Sequence, residues 1–309
     1  MPLVACQSHR YYLQAMKIAL AQISPALGDI DRNLRRHLEV AEAAAEQAAD
    51  LVIFPELSLA GYDSRERTAE LALNAQSTEL TALAEASQRA DLLCGFIELG
   101  EDFRVFNSCA YFAGGALRHL HRKVYLPTYG IFDEGRYFAA GETVRAFDLW
   151  ADGSRLAKAS GQGRLRCGVI ICEELWHPSV AYLLAQDGAQ MLVAQTAAVD
   201  KGERDGEGRA AGLQVWETLA RAAAVSSRAF LALANRTGAE GELCFFGSSF
   251  VVDPDGRVMA RARAYAEELK LCEIQFDEVR RARTSMPLLR DERLELTARE
   301  LARIQHARQ

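Results

Sequence analysis

Short apolar runs recur along the chain at strand length, and the stretches between them carry apolar residues at helical spacing. KIALAQI (17–23) and LVIF (51–54) are two such runs; between them Leu34, Leu38, Ala41, Ala45 and Ala48 recur at steps of four and three. This predicts strand, amphipathic helix, strand. The alternation continues with a helix over 66–90, strands near 92–97, 105–113 and 116–121, and an irregular stretch punctuated by Pro127, Gly130, Gly135 and Gly141. LRCGVIIC then leads into a helix near 178–187, MLVAQ precedes a helix around 210–228, and FLALAN forms the next strand. The last third changes character: GSSFVVDPDGRVMARA reads as a β-hairpin about Asp255-Gly256, followed by one more strand, LKLCEIQF. Strands that alternate with helices and are later paired by hairpins predict an α/β fold with mixed sheets.

The ends of the chain fall outside this rhythm. MPLVACQSHRYYLQA shows neither period, so residues 1–15 are expected to be a loosely held N-terminal extension, with one domain over 16–285 and a helical tail over 286–309 beyond it. DKGERDGEGR (200–209) reads as a surface loop, and EVRRARTS (278–285) as a solvated helix face. With 309 residues, half of them hydrophobic, the chain can bury one large core. A net charge of −6 with both signs interspersed provides no surface for a polyphosphate, which excludes nucleic acid as an expected partner. Seven cysteines, an odd number with no C-x-x-C pair, and no apolar span of membrane length predict a reduced, cytoplasmic chain with no membrane partner.

Chemistry gathers where apolar runs end. LVIFPELSLAGYD presents Glu56, HLHRKVYLP presents Lys123 and GVIICEELW presents Cys172, each at or near the end of a predicted strand. In open α/β sheets ligands bind at strand carboxyl ends, so the three can converge although distant in sequence. An unperturbed thiol of pKa about 8.5 is only roughly 3% thiolate at pH 7, and a nucleophilic cysteine therefore needs a base or a cation. Glu56 supplies the one and Lys123 the other. Attack on an amide carbon creates an oxyanion, for which Lys123 and the backbone N–H of Glu173 are the natural donors; one such donor is worth roughly 100-fold to 1000-fold in rate. Competing readings are a structural Cys172, a Cys172–His177 pair with His177 as base, and a metal held by Cys172, Glu173 and His177. Positions five apart after a strand end are not directed to meet, and the six histidines are scattered, so no metal is expected. His119 and His121 share a strand face and are expected to be solvated; the other cysteines are expected in the core.

Glu56 in FPE, Lys123 in HRK and Cys172 in ICEELW resemble the Glu-Lys-Cys triad of the nitrilase (carbon–nitrogen hydrolase) superfamily. GYD after Glu56, ANRTG at 234–238 and FFGSSFVVDPDG at 245–256 extend the resemblance over Met16 to Phe276. YLPTYGIFDEGRYFAAG (125–141) is similar to the same stretch in glutamine amidase domains of NAD synthetases and, more loosely, in carbamoylputrescine amidases; TAAVDKG after MLVAQ departs from their serine-rich segment. The resemblance implies a four-layer α-β-β-α sandwich, thioester chemistry with neither metal nor other cofactor, and a homodimer or larger homo-oligomer. It further implies that Glu134 is a second glutamate of the site and that Tyr129 lines the substrate pocket beside Glu173. The expected function is an amidase that cleaves a small non-peptide amide through a cysteine thioester and releases ammonia. An N-carbamoyl amine or amino acid amidohydrolase, a free-standing glutaminase, a nitrilase and an inactive scaffold remain open.

Overall fold

Two six-stranded sheets stacked face to face, with helices on their outer sides, organise the chain. The computed structural model describes residues 15–149, 165–204, 206, 208 and 210–308. The first half runs β1 (Ala15–Gln22), α1 (Ile30–Glu46), β2 (Leu51–Ile53), α2 (Thr78–Ala86), β3 (Asp91–Leu99), β4 (Val105–Ala113), β5 (Ala116–Arg122) and the single turn α3 (Glu134–Tyr137). The second runs β6 (Phe147–Asp148), β7 (Arg166–Ile171), α4 (Pro178–Gln186), β8 (Met191–Thr196), α5 (Ala211–Ser227) and β9 (Phe230–Asn235). Five short strands follow: β10 (Thr237–Glu240), β11 (Leu243–Phe246), β12 (Phe250–Val252), β13 (Val258–Arg261) and β14 (Glu268–Gln275). The helices α6 (Phe276–Ser285), α7 (Leu288–Asp291) and α8 (Leu294–Ala307) close the order.

The first sheet has the order β14-β1-β2-β3-β4-β5 and the second β13-β12-β9-β8-β7-β6. Each is built alike: three adjacent parallel strands, β1-β2-β3 or β9-β8-β7, extended on both sides by antiparallel neighbours. Strands covered on both faces need no polar side, which is why MLVAQT and FLALAN are buried throughout. Period two sorts the first sheet: Met16, Ile18, Leu20, Leu51, Ile53 and Leu93 pack toward the second sheet. Ala19, Ala21, Val52, Phe54, Leu92 and Cys94 pack under α1 and α2. On the far side α4 and α5 cover the second sheet through Val180, Leu184, Leu213 and Ala220. These are the four layers, α-β-β-α.

Several elements differ from the sequence pattern. The helix expected over 66–90 is only α2 and a short turn at Arg65–Arg67. Leu73 between them pairs with β3, its N–H donating to Ile97 O at 2.9 Å, and Ser77 restarts the helix by capping Leu80 N. Leu34, Leu38 and Ala45 of α1 pack half-buried against the core as the period predicts, the polar Asn33 and His37 are buried beside them, and Ala48 lies beyond the helix end. The hairpin at Asp255-Gly256 joins β12 to β13, with Gly256 at φ +84°, whereas the smaller β10–β11 hairpin, turning at Gly241-Glu242, was not anticipated. Arg283 in α6 is not a solvated residue: its guanidinium donates to the carbonyls of Ala189, Arg228 and Ser227.

The histidine and cysteine expectations also need correction. His121 is buried against Glu174, and His119 stacks on Phe147 at 4.2 Å. Cys94, Cys109, Cys167 and Cys272 are buried, but Cys244 in β11 is exposed. The expected extension over residues 1–14, with Cys6, lies outside the described residues; Ala15 opens β1. In the tail, neither α7 nor α8 has a buried residue. Among the described residues no helix is long and apolar enough to cross a membrane.

His37 supplies a test of this packing. Its Nδ1 lies 2.7 Å from Asn33 O, its Nε2 2.8 Å from Ser58 Oγ, and its ring stacks on Phe54 at 4.1 Å. Burial pulls its pKa from 6.5 to about 4, so the folded protein holds it neutral while the unfolded chain protonates it below pH 6.5. Its contribution is present above pH 6.5 and is lost as the pH falls toward 4, a change of about 3 kcal/mol. Urea unfolding from pH 7.5 to 4.5 should therefore show a shallower loss of stability in His37→Asn than in the natural protein. Parallel curves would remove His37 as the source.

Candidate active site

Lys123 follows the last residue of β5, and its N–H continues the β4 pairing by donating to Asn107 O at 2.8 Å. The side chain is therefore aimed by the sheet. Its fully buried Nζ donates to Glu56 Oε1 at 2.7 Å and to Glu134 Oε1 at 2.8 Å. Burial alone would pull the ammonium pKa down, but the charges of Glu134 and Glu56 outweigh it and hold the pKa above its ordinary value. Glu56, buried just beyond β2, also accepts from Asn107 Nδ2 at 2.8 Å. Gly95 lets β3 pass this close: a Cβ there would sit 2.5 Å from Pro55 O and Leu57 N.

Glu134 reaches the same ammonium from α3. Its Oε1 also accepts from Tyr62 Oη at 2.7 Å, and burial pushes its pKa up against the pull of Lys123. Arg136, two residues on, is exposed and faces Glu66 at 3.6 Å rather than Glu134. Tyr62 is set by the Arg236–Glu240 pair, in which Glu240 accepts from Tyr62 N at 3.0 Å and Asp63 N at 2.9 Å. Oε2 of both Glu56 and Glu134 takes no hydrogen bond from the described residues.

Cys172 stands where β7 breaks into the tight turn Cys172–Trp176, with a left-handed φ of +46° that few non-glycine residues adopt. It is 9% exposed and lies within electrostatic reach of Glu56, Lys123 and Glu134. Burial raises its pKa well above 9.0, with Glu56 adding to the rise and Lys123 opposing it. Burial thus favours the protonated thiol.

Glu174, two residues on, fastens the strand ends of both sheets. Its Oε2 accepts from Ile171 N at 2.6 Å, its Oε1 from Val124 N at 2.7 Å, and His121 Nε2 lies 2.9 Å from Oε2. The backbone beside Cys172 and the backbone beside Lys123 thus share one carboxylate. Glu173 points elsewhere: its Oε2 accepts from Tyr129 Oη at 2.7 Å, and burial together with that bond pushes the Tyr129 hydroxyl up to about 12. His177 Nε2 faces Glu173 Oε1 at 3.7 Å and its ring stacks on Tyr125 at 3.6 Å, which leaves it engaged with Glu173 and Tyr125. Among the described residues no group of three or more His, Cys, Asp or Glu side chains is placed to hold a metal. Cys172, Glu173 and Tyr129 line a cavity of about 300 Å³.

Asn107, Tyr62, Glu174 and Trp216 went unassigned in the sequence. Asn107 is the one polar side chain before Ser108 in the run VFNSCAYFA, and Tyr62 stands in the GYD motif, so both had a signal. Glu174 was one of two adjacent acids, and Trp216 one apolar residue of a helix; neither was distinguishable by pattern.

Known proteins resemble this chain over most of its length. A glutamine-dependent NAD(+) synthetase of Thermotoga maritima is 29% identical over 276 residues, 86% of this chain but 43% of the relative. The chain thus spans less than half the length of the synthetases it matches. An (R)-stereoselective amidase of a Pseudomonas species is 29% identical over 289 residues, 92% of this chain and 94% of its own. The crystal structure of an amidase from Nesterenkonia sp. superposes with a TM-score of 0.73 at 25% identity, covering 92% and 95% of the two chains. With the family model for carbon-nitrogen hydrolases matching residues 17–284, the chain belongs to the carbon-nitrogen hydrolase family.

Proposed function

We propose that this carbon–nitrogen hydrolase is an amidase that cleaves a small primary amide through a thioester on Cys172 and releases ammonia. The observation that carries the reading is the fully buried Lys123 ammonium held between Glu56 and Glu134 within electrostatic reach of the Cys172 thiol. Glu56 takes the thiol proton and the sulfur attacks the amide carbon. Lys123 Nζ and the Glu173 N–H hold the oxyanion, the proton passes to the leaving nitrogen, and ammonia departs. Water deprotonated by Glu56 then hydrolyses the thioester and returns the proton to sulfur. Glu134 fixes the Lys123 ammonium, and Tyr129 and Glu173 contact the acyl side of the substrate. The near full-length match to an (R)-stereoselective amidase supports the amide over the other branches. We further propose a homodimer or larger homo-oligomer, supported by the exposed Leu294, Leu301 and Ile304 on α8; a monomer mass in sedimentation at micromolar concentration would end that proposal.

A panel of amides, carbamoyl amines, carbamoyl amino acids and nitriles, read by ammonia release, tests the assignment; the amides should turn over fastest. Cys172→Ser should abolish turnover while stability stays within about 1 kcal/mol, since the substitution conserves shape. Full activity in Cys172→Ser would remove the nucleophile.

Glu134→Gln keeps the shape and removes the charge beside Lys123. It should lower kcat roughly 100-fold to 10,000-fold, whereas Arg136→Ala, at an exposed side chain that faces Glu66 and the Tyr137 ring, should retain the natural rate. Steady-state kinetics of the pair decide it: a natural rate in Glu134→Gln takes Glu134 out of the site.

A further inference from the structure

We infer that the acyl side of the site selects an apolar group, an alkyl branch or an aryl ring, over an acyl chain that ends in a carboxylate; this rests on the amidase reading above. The cavity over Cys172 is walled by Trp176, Trp216, Val199, Val215 and Phe132. Trp176 and Trp216 meet edge to face at 5.7 Å and 82°, and Trp216 is only 8% exposed, so the aromatic wall is anchored in the core through α5. Trp176 and Val215, in contrast, are 43% and 41% exposed. Both are large apolar surfaces left in water beside the thiol, and a ligand that covers them gains from the same effect that folds the chain. Ala197, Ala198 and Gly212 are short where they line the cavity, which leaves about 300 Å³ for an acyl group.

The charges point the same way. Among the described lining residues the charged side chains are Glu173, Lys201 and Glu203. Glu173 is held in place by Tyr129 and is 13% exposed, while Lys201 is a solvated residue at the rim. A substrate carboxylate would enter against a fixed carboxylate and an aromatic wall, with one solvated ammonium to answer it. A neutral apolar end meets no such penalty, and a substrate amino group can face Glu173.

The probe pair is L-glutamine and 4-methylpentanamide, which share a carbon skeleton and differ in carrying an ammonium and a carboxylate or two methyl groups. Acetamide and 3-phenylpropanamide complete the set, with ammonia release as the readout. 4-Methylpentanamide and 3-phenylpropanamide should exceed glutamine in kcat/KM by roughly tenfold or more. Trp176→Ala should lower the ratio of kcat/KM for 3-phenylpropanamide to that for acetamide roughly 10-fold to 100-fold, mainly through KM, and Trp176→Phe should restore much of it. Glutamine outrunning 4-methylpentanamide, or an unchanged ratio in a folded Trp176→Ala, overturns the inference and leaves the amidase reading standing. Ammonia from none of the four amides overturns both.

Discussion

A fully buried ammonium between two carboxylates sets the terms for the rest of the molecule. Taking a lysine charge out of water costs on the order of several kcal/mol, and only partners at hydrogen-bond distance offset it. Lys123 has two, brought by different elements: Glu56 from beyond β2 and Glu134 from α3. Every nearby position is then constrained. Gly95 must lack a side chain, Asn107 must orient Glu56, and the loop with Tyr62 must be tied down by the buried Arg236–Glu240 pair. Burial, with the Glu56 charge adding to it and Lys123 opposing it, also favours the protonated form of Cys172.

The sheets that hold these groups are fastened by polar contacts as well as by apolar packing. An apolar interface alone tolerates sliding, whereas buried hydrogen bonds have one register. Gln195 of β8 donates across to Phe54 O at 2.7 Å and Leu93 O at 3.2 Å in the first sheet. Gln22 of β1 accepts from Ser249 N at 2.8 Å and Ser249 Oγ at 2.9 Å. With Glu174 between Ile171 N and Val124 N, these contacts set the thiol on one sheet relative to the ammonium on the other.

Much of the architecture was legible because strands buried on both faces read as unbroken apolar runs whose polar ends stand out. That signal located Glu56 and Cys172, whereas Lys123 follows β5, a half-buried edge strand of mixed polarity; the structure brings the three close together. It fails where burial depends on a partner distant in sequence. His121 was expected in water and is buried because Glu174 meets it; Arg283 was expected on a solvated face and is covered because three carbonyls converge on it. Periodicity also overextended α2, since Leu73 satisfies an apolar position equally well as a bridge to β3. Glu174 and Trp216 owe their places to tertiary geometry, which pattern does not encode.

The pairing of β1 with β14 bears on how the protein is made. All eight residues of β1 are matched antiparallel to Glu268–Gln275, so β1, once synthesised, waits for a strand that emerges after every other strand of its sheet. Until then β1, with Ile18 and Leu20, offers a bare apolar edge to other nascent chains. The first sheet cannot reach its final form until β14 has emerged, and its completion is a long-range closure across the whole sequence of the second sheet.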